Sequence, residues 1–321
     1  MRASRQLLHG LCIEASLEIG PAAPEDAAAD LELTIGPSGP VPMDAPSGEV
    51  IVALAAGGRP VHTGAGGSQG YVLRVHGLCD FAITSDLRRV ECRPDPVANP
   101  EQIVLLLRGS VLSFVLGLGG ECCLHASAVQ MPDSDDVVAF VGGSGGGKST
   151  IAALACAAGA RFVVDDLLRL DPNMAGGWIG ASAELRLRPR SGSALGQFDP
   201  GWDPRPTVDN RIAVTPPRTR LSSGSLGSLA VLQLSSTAER VGVERLTPAE
   251  ATIALSRFPR LAVWKSPSAL ESQFDAISGL AAVTPVVVAT IPWRSPVDPG
   301  LGSVLLEALR EVSSLRTSVA S

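Results

Sequence analysis

The chain has 321 residues, of which 45% are hydrophobic and 18% charged, with a formal net charge of −6 and a pI near 5.3. That composition supplies apolar residues for one large core or two ordinary ones. It lacks the basic patch or stripe of a nucleic-acid binder, so nucleic acid is not an expected partner.

No apolar run approaches the roughly 18 residues that span a bilayer, so no membrane association is expected. The segment from Met1 to Gly20 is broken by His9, Glu14 and Glu18 and does not read as a signal peptide. The six cysteines, Cys12, Cys79, Cys92, Cys122, Cys123 and Cys156, show no C-x-x-C pair and no zinc spacing. Free thiols in a reducing, cytoplasmic setting are the expectation.

Residues 1–98 are punctuated by glycine and proline. Leu31 to Ile35 and Tyr71 to Val75 alternate, and Glu49 to Ala55 is an apolar run, which together predict a β-rich N-terminal region. Gly36 to Gly48, rich in proline, reads as a surface loop. At Asn99 the texture changes, and residues 99–321 are expected to form a second domain. Asn99 caps, and Pro100 begins, a helix predicted to Gly117. Cys122 to Gln130 is one apolar strand candidate, and Val137 to Val141 is a compact buried strand after a polar turn. Ser149 to Ala158 is a helix ended by Gly159, and Arg161 to Val164 is a strand that delivers Asp165 and Asp166. Strand, loop, helix, strand is a βαβ-type order, so part of the sheet should be parallel. Trp178 to Pro217 shows little period. Leu229 to Leu234 reads as a strand, Thr247 to about Arg257 as a helix opened by a Thr247/Glu250 capping box, and Ser268 to Ala281 as a helix. Val286 to Ile291 and Gly302 to Ser313 complete the outline as strand and helix.

Between strand and helix lies Gly142-Gly143-Ser144-Gly145-Gly146-Gly147-Lys148-Ser149, which fits G-x-x-x-x-G-K-[ST] at every required position. Its glycines let successive N–H groups curl toward phosphate oxygens, and the helix N-terminus adds its positive end. Lys148 would reach the β/γ-phosphates and Ser149 would ligate Mg²⁺. Of 26 Lys and Arg residues only two, Lys148 and Lys265, are lysine, so lysine stands at the position that needs a compact ammonium. Seventeen residues after Ser149, Asp165 and Asp166 offer one carboxylate for Mg²⁺ and one to accept a proton from an attacking hydroxyl. The other reading is that the pair caps the following segment and serves solubility, and the position after a phosphate loop weighs against it. His125, in an apolar strand, is a satisfied core residue or, if neighbouring strands share an edge, part of the same site.

Three stretches, Leu124 to Val129, Gly142 to Thr150 and Gly159 to Asp166, resemble in order and spacing the catalytic core of the HPr kinase/phosphorylase family and its smaller relatives associated with ribosomally made peptides. They cover about 45 residues. The resemblance implies an α/β, P-loop kinase core of the HPr kinase/phosphoenolpyruvate carboxykinase type. It implies ATP and Mg²⁺ as cofactors and phosphoryl transfer to a serine of a peptide or small protein. It also assigns roles: Asp166 as proton acceptor, His125 as active-site histidine, Asp165 as support for Asp166 or the metal, and Glu184 as a second Mg²⁺ carboxylate. Thr150 belongs to the phosphate loop. Arg211, Arg218 and the run Arg186, Arg188, Arg190 are candidates for γ-phosphate or substrate contacts, and Arg190 to Pro206 for a mobile covering loop. Family members often form oligomers. Two departures stand out: HPr kinases proper have Glu where this chain has Thr150, and the phosphorylase segment is not found. Small-molecule hydroxyl kinase and nucleotide-binding scaffold remain alternative readings.

Overall fold

The computed structural model describes residues 3–180, 184–189, 202–217, 223–261, 263–294 and 296–314. It divides into two compact units, Met1–Cys122 with Leu261–Gln273, and Cys123–Arg260 with Phe274–Ser321. The helix expected from Asn99 to Gly117 thus groups with the first unit.

In the first unit eight strands form one sheet. They are β1 (Ser4–Leu8), β2 (Leu11–Ala15), β3 (Leu31–Ile35), β4 (Glu49–Ala56), β5 (Arg59–Gly67), β6 (Gly70–Val75), β7 (Cys79–Ile83) and β8 (Arg89–Pro94), in the order β1-β2-β3-β8-β7-β6-β5-β4. The alternation seen in sequence is the pleat: Leu31 and Leu33 on β3, and Cys79, Phe81 and Ile83 on β7, point into the core. Opposite one another on β6 and β7, Arg74 and Asp80 make a two-pronged pair, Nε to Oδ1 at 2.8 Å and Nη2 to Oδ2 at 2.6 Å. The remaining Arg74 Nη1 donates to the Asp44 carbonyl.

Asn99 caps the next helix as expected. Its side chain accepts the Glu101 N–H at 2.8 Å, while the Gln102 side chain accepts the Asn99 N–H. The helix is not regular: α1 (Pro100–Leu106) passes through a π turn at Leu107–Val111 into α2 (Leu112–Leu118). Pro100–Leu118 has a mean hydropathy of 1.6 over its best window and, by length and composition, is long enough to cross a bilayer. That corrects the sequence reading, in which no apolar run approached this length. The helix is mostly buried within the first unit, where Phe114 stacks on Trp264 with ring centroids 5.4 Å apart. A Cβ on Gly64 would lie 2.8 Å from the Phe114 ring, so this helix needs a residue without a side chain beneath it.

The second unit is built on a nine-stranded sheet. Its strands include β9 (Cys123–Leu124), β10 (Ala126–Gln130), β11 (Val137–Val141), β12 (Arg161–Val164), β13 (Leu168–Leu170) and β14 (Gly177–Ile179). The long β18 (Gly224–Ser235), β19 (Gly242–Arg245) and β20 (Val286–Pro292) complete it. Strands β11, β18 and β20 are parallel, as the order of elements predicts. The strand after the phosphate loop's helix does not join β11 directly, however. β10 lies between β11 and β12, antiparallel to both. The apolar stretch read as one strand from Cys122 is two, β9 pairing with β13 and β10 with β11 and β12, with His125 at the break.

Helix α3 (Lys148–Ala157) and the last helix, α6 (Leu301–Ser314), pack together over the sheet around Phe140, Ile151, Leu154, Phe162, Leu305 and Leu309. The Thr247/Glu250 box caps α4 (Pro248–Leu255), and α5 spans Pro267–Val283. The region without period holds a three-stranded sheet, β15 (Leu185–Leu187), β17 (Ile212–Thr215) and β16 (Asp203–Pro206), whose strands are too short to show alternation.

Candidate functional site

The phosphate loop leaves the carboxyl end of β11 and turns into α3. Gly145 and Gly147 both have φ of +81°, a backbone state that side chains resist, and Gly147 occupies the cap of the helix in that state. Gly146 closes the turn by donating to the Gly143 carbonyl at 2.9 Å. Lys148 is buried, and its Nζ donates to the carbonyls of Gly142 and Gly143 at 2.9 and 3.0 Å. Burial pushes this ammonium down to about 8, with Arg260 and Arg211 adding to the shift and Asp165 and Asp166 opposing it.

Asp165 and Asp166 follow β12, and their carboxylates have different surroundings. Asp165 is buried. Its Oδ1 accepts the hydroxyls of Ser149 at 2.8 Å and Ser127 at 2.5 Å, and its Oδ2 accepts the Arg186 N–H at 2.9 Å. Burial raises its affinity for a proton against the pull of these donors. Asp166 sits at the centre of a three-residue turn. The Leu167 N–H reaches back to the Asp165 carbonyl at 3.0 Å, and Asp166 has φ of +74°. This is the φ of the rare, strained form of γ-turn, and strain of this kind gathers at functional sites.

The turn presents the Asp166 carboxylate to two partners. Arg260 Nη2 donates to Oδ2 at 2.9 Å, and His125 Nε2 lies 3.4 Å from Oδ1. Burial alone would raise the Asp166 carboxyl, but Arg260 and His125 outweigh it and hold the group well below the usual carboxylate range. His125 itself is pushed down to about 4, by burial first and then by the cations Lys148, Arg260 and Arg211, against the opposing pull of Asp166. It is therefore a neutral imidazole at pH 7. Backbone pairing sets these positions: the His125 N–H donates to the Phe258 carbonyl at 2.8 Å and the Arg260 N–H to the Cys123 carbonyl at 2.7 Å. Two segments far apart in sequence thus deliver one imidazole and one guanidinium to the same carboxylate.

A cavity of about 720 Å³ opens over this group. Its lining includes His125, Ser144, Gly145, Gly147, Lys148, Ser149, Thr150, Asp165 and Asp166, with Arg186, Arg188, Asp209, Arg211 and Trp293 around them. Arg188 lies across the loop, its guanidinium 3.1 Å from where a Gly145 Cβ would be, and it has no acidic partner among the described residues. Arg186 and Arg211 both pair with Asp209.

The chain matches no family model and no curated protein. Among solved structures it is similar to the Hpr(Ser) kinase/phosphatase from Coxiella burnetii, at 11% identity over 62% of this chain and 99% of that one, with a TM-score of 0.32.

Of the residues singled out in sequence, the structure brings His125, Lys148, Ser149, Asp165 and Asp166 together, with Ser144, Gly145, Gly147 and Thr150 on the cavity wall. Gly142, Gly143 and Gly146 form the back of the loop through the bonds given above. Glu184 is not part of the group: its carboxylate accepts Arg205 Nη2 at 3.1 and 3.3 Å, and it does not line the cavity. Arg186, Arg188 and Arg211 line it, whereas Arg190 and Arg218 lie outside the described residues, as does the 190–201 part of the expected covering loop. Among the described residues no three His, Cys, Asp or Glu side chains form a metal cluster. Sequence reading missed Ser127, Arg260, Asp209 and Trp293. Arg260 stands in Arg257-Phe258-Pro259-Arg260, 94 residues from Asp166, with no local signal of its role.

The residues fit a magnesium nucleotide. The Ser149 hydroxyl and Asp165 carboxylate are hard oxygen donors in contact with each other, the combination that suits Mg²⁺. The loop's positive-φ glycines, a buried ammonium and three arginines suit a polyphosphate.

Proposed function

We propose that the protein is an ATP- and Mg²⁺-dependent kinase that transfers the γ-phosphoryl group to a serine hydroxyl of a peptide or small protein. The observation that carries this reading is the meeting of Ser149 with Asp165, and of Asp166 with His125, on the wall of one cavity shared with the phosphate loop, with Arg260 bonded to Asp166 from behind that wall. A nucleotide holder needs the loop alone; the second, ionised carboxylate beside it supplies what a hydroxyl acceptor requires.

In this mechanism the loop amides and Lys148 bind the phosphates, and Ser149 and Asp165 hold the metal. Bound Mg²⁺ would neutralise charge on the β- and γ-oxygens. Asp166 accepts the proton of the acceptor hydroxyl as its oxygen bonds to the γ-phosphorus, and ADP departs. Its low proton affinity keeps it ionised and ready at neutral pH. The neutral His125 and Arg260 hold the carboxylate's orientation, and Arg188 lies where it can meet charge spreading over the transferred group.

The test uses ATP labelled at the γ-phosphate, serine-containing peptides and a panel of hydroxylated metabolites, with wild-type protein and Asp166→Asn. Asparagine tolerates positive φ, so the substitution leaves the turn in place. Label transfer is expected to fall about 10²- to 10⁴-fold while ATP binding persists. Equal transfer by the two proteins would remove Asp166 as the base. Label found only on metabolites would change the acceptor class, and ATP binding without any transfer would leave a scaffold.

A further inference from the structure

We infer that the indole of Trp293 is the seat of the nucleotide's purine base, an assignment that rests on the nucleotide reading above and extends it from the phosphates to the other end of the ligand.

The first argument is topological. Strands β11, β18 and β20 run parallel, so their carboxyl ends share one edge of the sheet. In open α/β sheets ligands bind outside those ends. The phosphate loop leaves β11 at this edge, and Trp293 is the first residue beyond β20. Its backbone N–H donates to the carbonyl of Ser235, the last residue of β18, at 2.8 Å, which ties the ends of two parallel strands together and fixes the start of the side chain.

The second argument is exposure. The chain has four tryptophans. Trp178, Trp202 and Trp264 are at most 9% exposed and belong to cores. Trp293 is only half-buried: part of its ring packs against the second unit's core, and part lines the cavity that holds Lys148, Ser149 and Thr150. The ring also reaches the phosphate loop: its Cη2 lies 3.5 Å from where a Cβ on Gly147 would be. Among the described residues that line the wall it is the only aromatic ring apart from the imidazole of His125, and most of the others are charged or small and polar. A purine has a flat apolar face that needs such a partner, and base–aromatic stacking is tolerant of which base is presented.

The experiment compares equilibrium binding of ATP and of inorganic tripolyphosphate to wild type, Trp293→Ala and Trp293→Phe. Tripolyphosphate reads the loop without the base. Trp293→Ala is expected to weaken ATP binding about tenfold or more and leave tripolyphosphate unchanged, with Trp293→Phe retaining most of the ATP affinity. Wild-type tryptophan fluorescence should change with ATP and lose most of that response in Trp293→Phe, where the other three indoles remain. Unchanged ATP affinity in Trp293→Ala overturns the inference. An equal loss for both ligands also overturns it, since the indole would then be only a prop for the loop. If wild-type protein binds neither ligand, the nucleotide reading itself fails, and that failure is visible before any substitution is made.

Discussion

The two units treat buried charge in opposite ways. In the first, Arg74 and Asp80 face each other across β6 and β7, share two hydrogen bonds, and send the remaining guanidinium nitrogen to a backbone carbonyl. The partners close on themselves. In the second, Asp165 and Asp166 are also bonded, but their donors come from the phosphate loop's helix, the neighbouring strand and a distant segment, and both carboxylates stand on the wall of one cavity with Ser149. The contrast teaches that a buried charge alone marks nothing: the Arg74 pair solves a packing problem, whereas the aspartates converge on a space a ligand can enter. What separates them is where the other partners come from.

Breaking the closed pair should give the larger effect on stability. Arg74→Ala strands a carboxylate that is 19% exposed, and losing the charged hydrogen bonds of such a half-buried pair costs about 1.5–3 kcal/mol. Urea unfolding would measure the loss, and a cost near zero would make the pair a surface feature.

The open cluster is sharpened by a pH profile. Arg260 lowers the proton affinity of Asp166, so Arg260→Ala raises it. If Asp166 must be ionised to act, the acid limb of the rate profile moves to higher pH, and Arg260→Lys should partly restore it. A limb that stays where wild type has it would place the guanidinium outside the reaction.

The smallest expected effect concerns His125. Its folded proton affinity, near 4, lies below the ordinary value of 6.5. As pH falls from 6.5 the unfolded chain takes up the proton first, so stability declines until about 4 and this contribution then levels off. His125→Gln removes that slope while the carboxylates keep theirs. Denaturant midpoints that follow the same pH course in both proteins would mean the imidazole takes up its proton equally in the folded and unfolded chains.

Local chemistry was readable in the sequence and distant pairing was not. The loop at Gly142–Ser149 and the boxes at Asn99 and Thr247 are each complete within a few residues, so their patterns survive translation into structure. The parallel set was legible from element order, but the insertion of β10 between β11 and β12 was not, because both arrangements bury the same apolar runs. Arg260 reaches Asp166, and Trp293 the cavity, through backbone pairing that no spacing announces. Glu184 shows the converse: the resemblance suggested it for the metal, whereas in the structure its carboxylate accepts Arg205 from another strand of the same small sheet. The turn at Asp166 was invisible too, since nothing about two consecutive aspartates foretells a positive φ.

The wide turn at Leu107–Val111 has a consequence for how the chain tolerates changes of length. A π turn holds one residue more than the α turn it replaces, so removing a single residue there lets the coil tighten while Phe114 keeps its place over Gly64. Tightening without a deletion would swing everything downstream by about 100° and carry the ring off that glycine. Shortening by one is the gentler of the two changes.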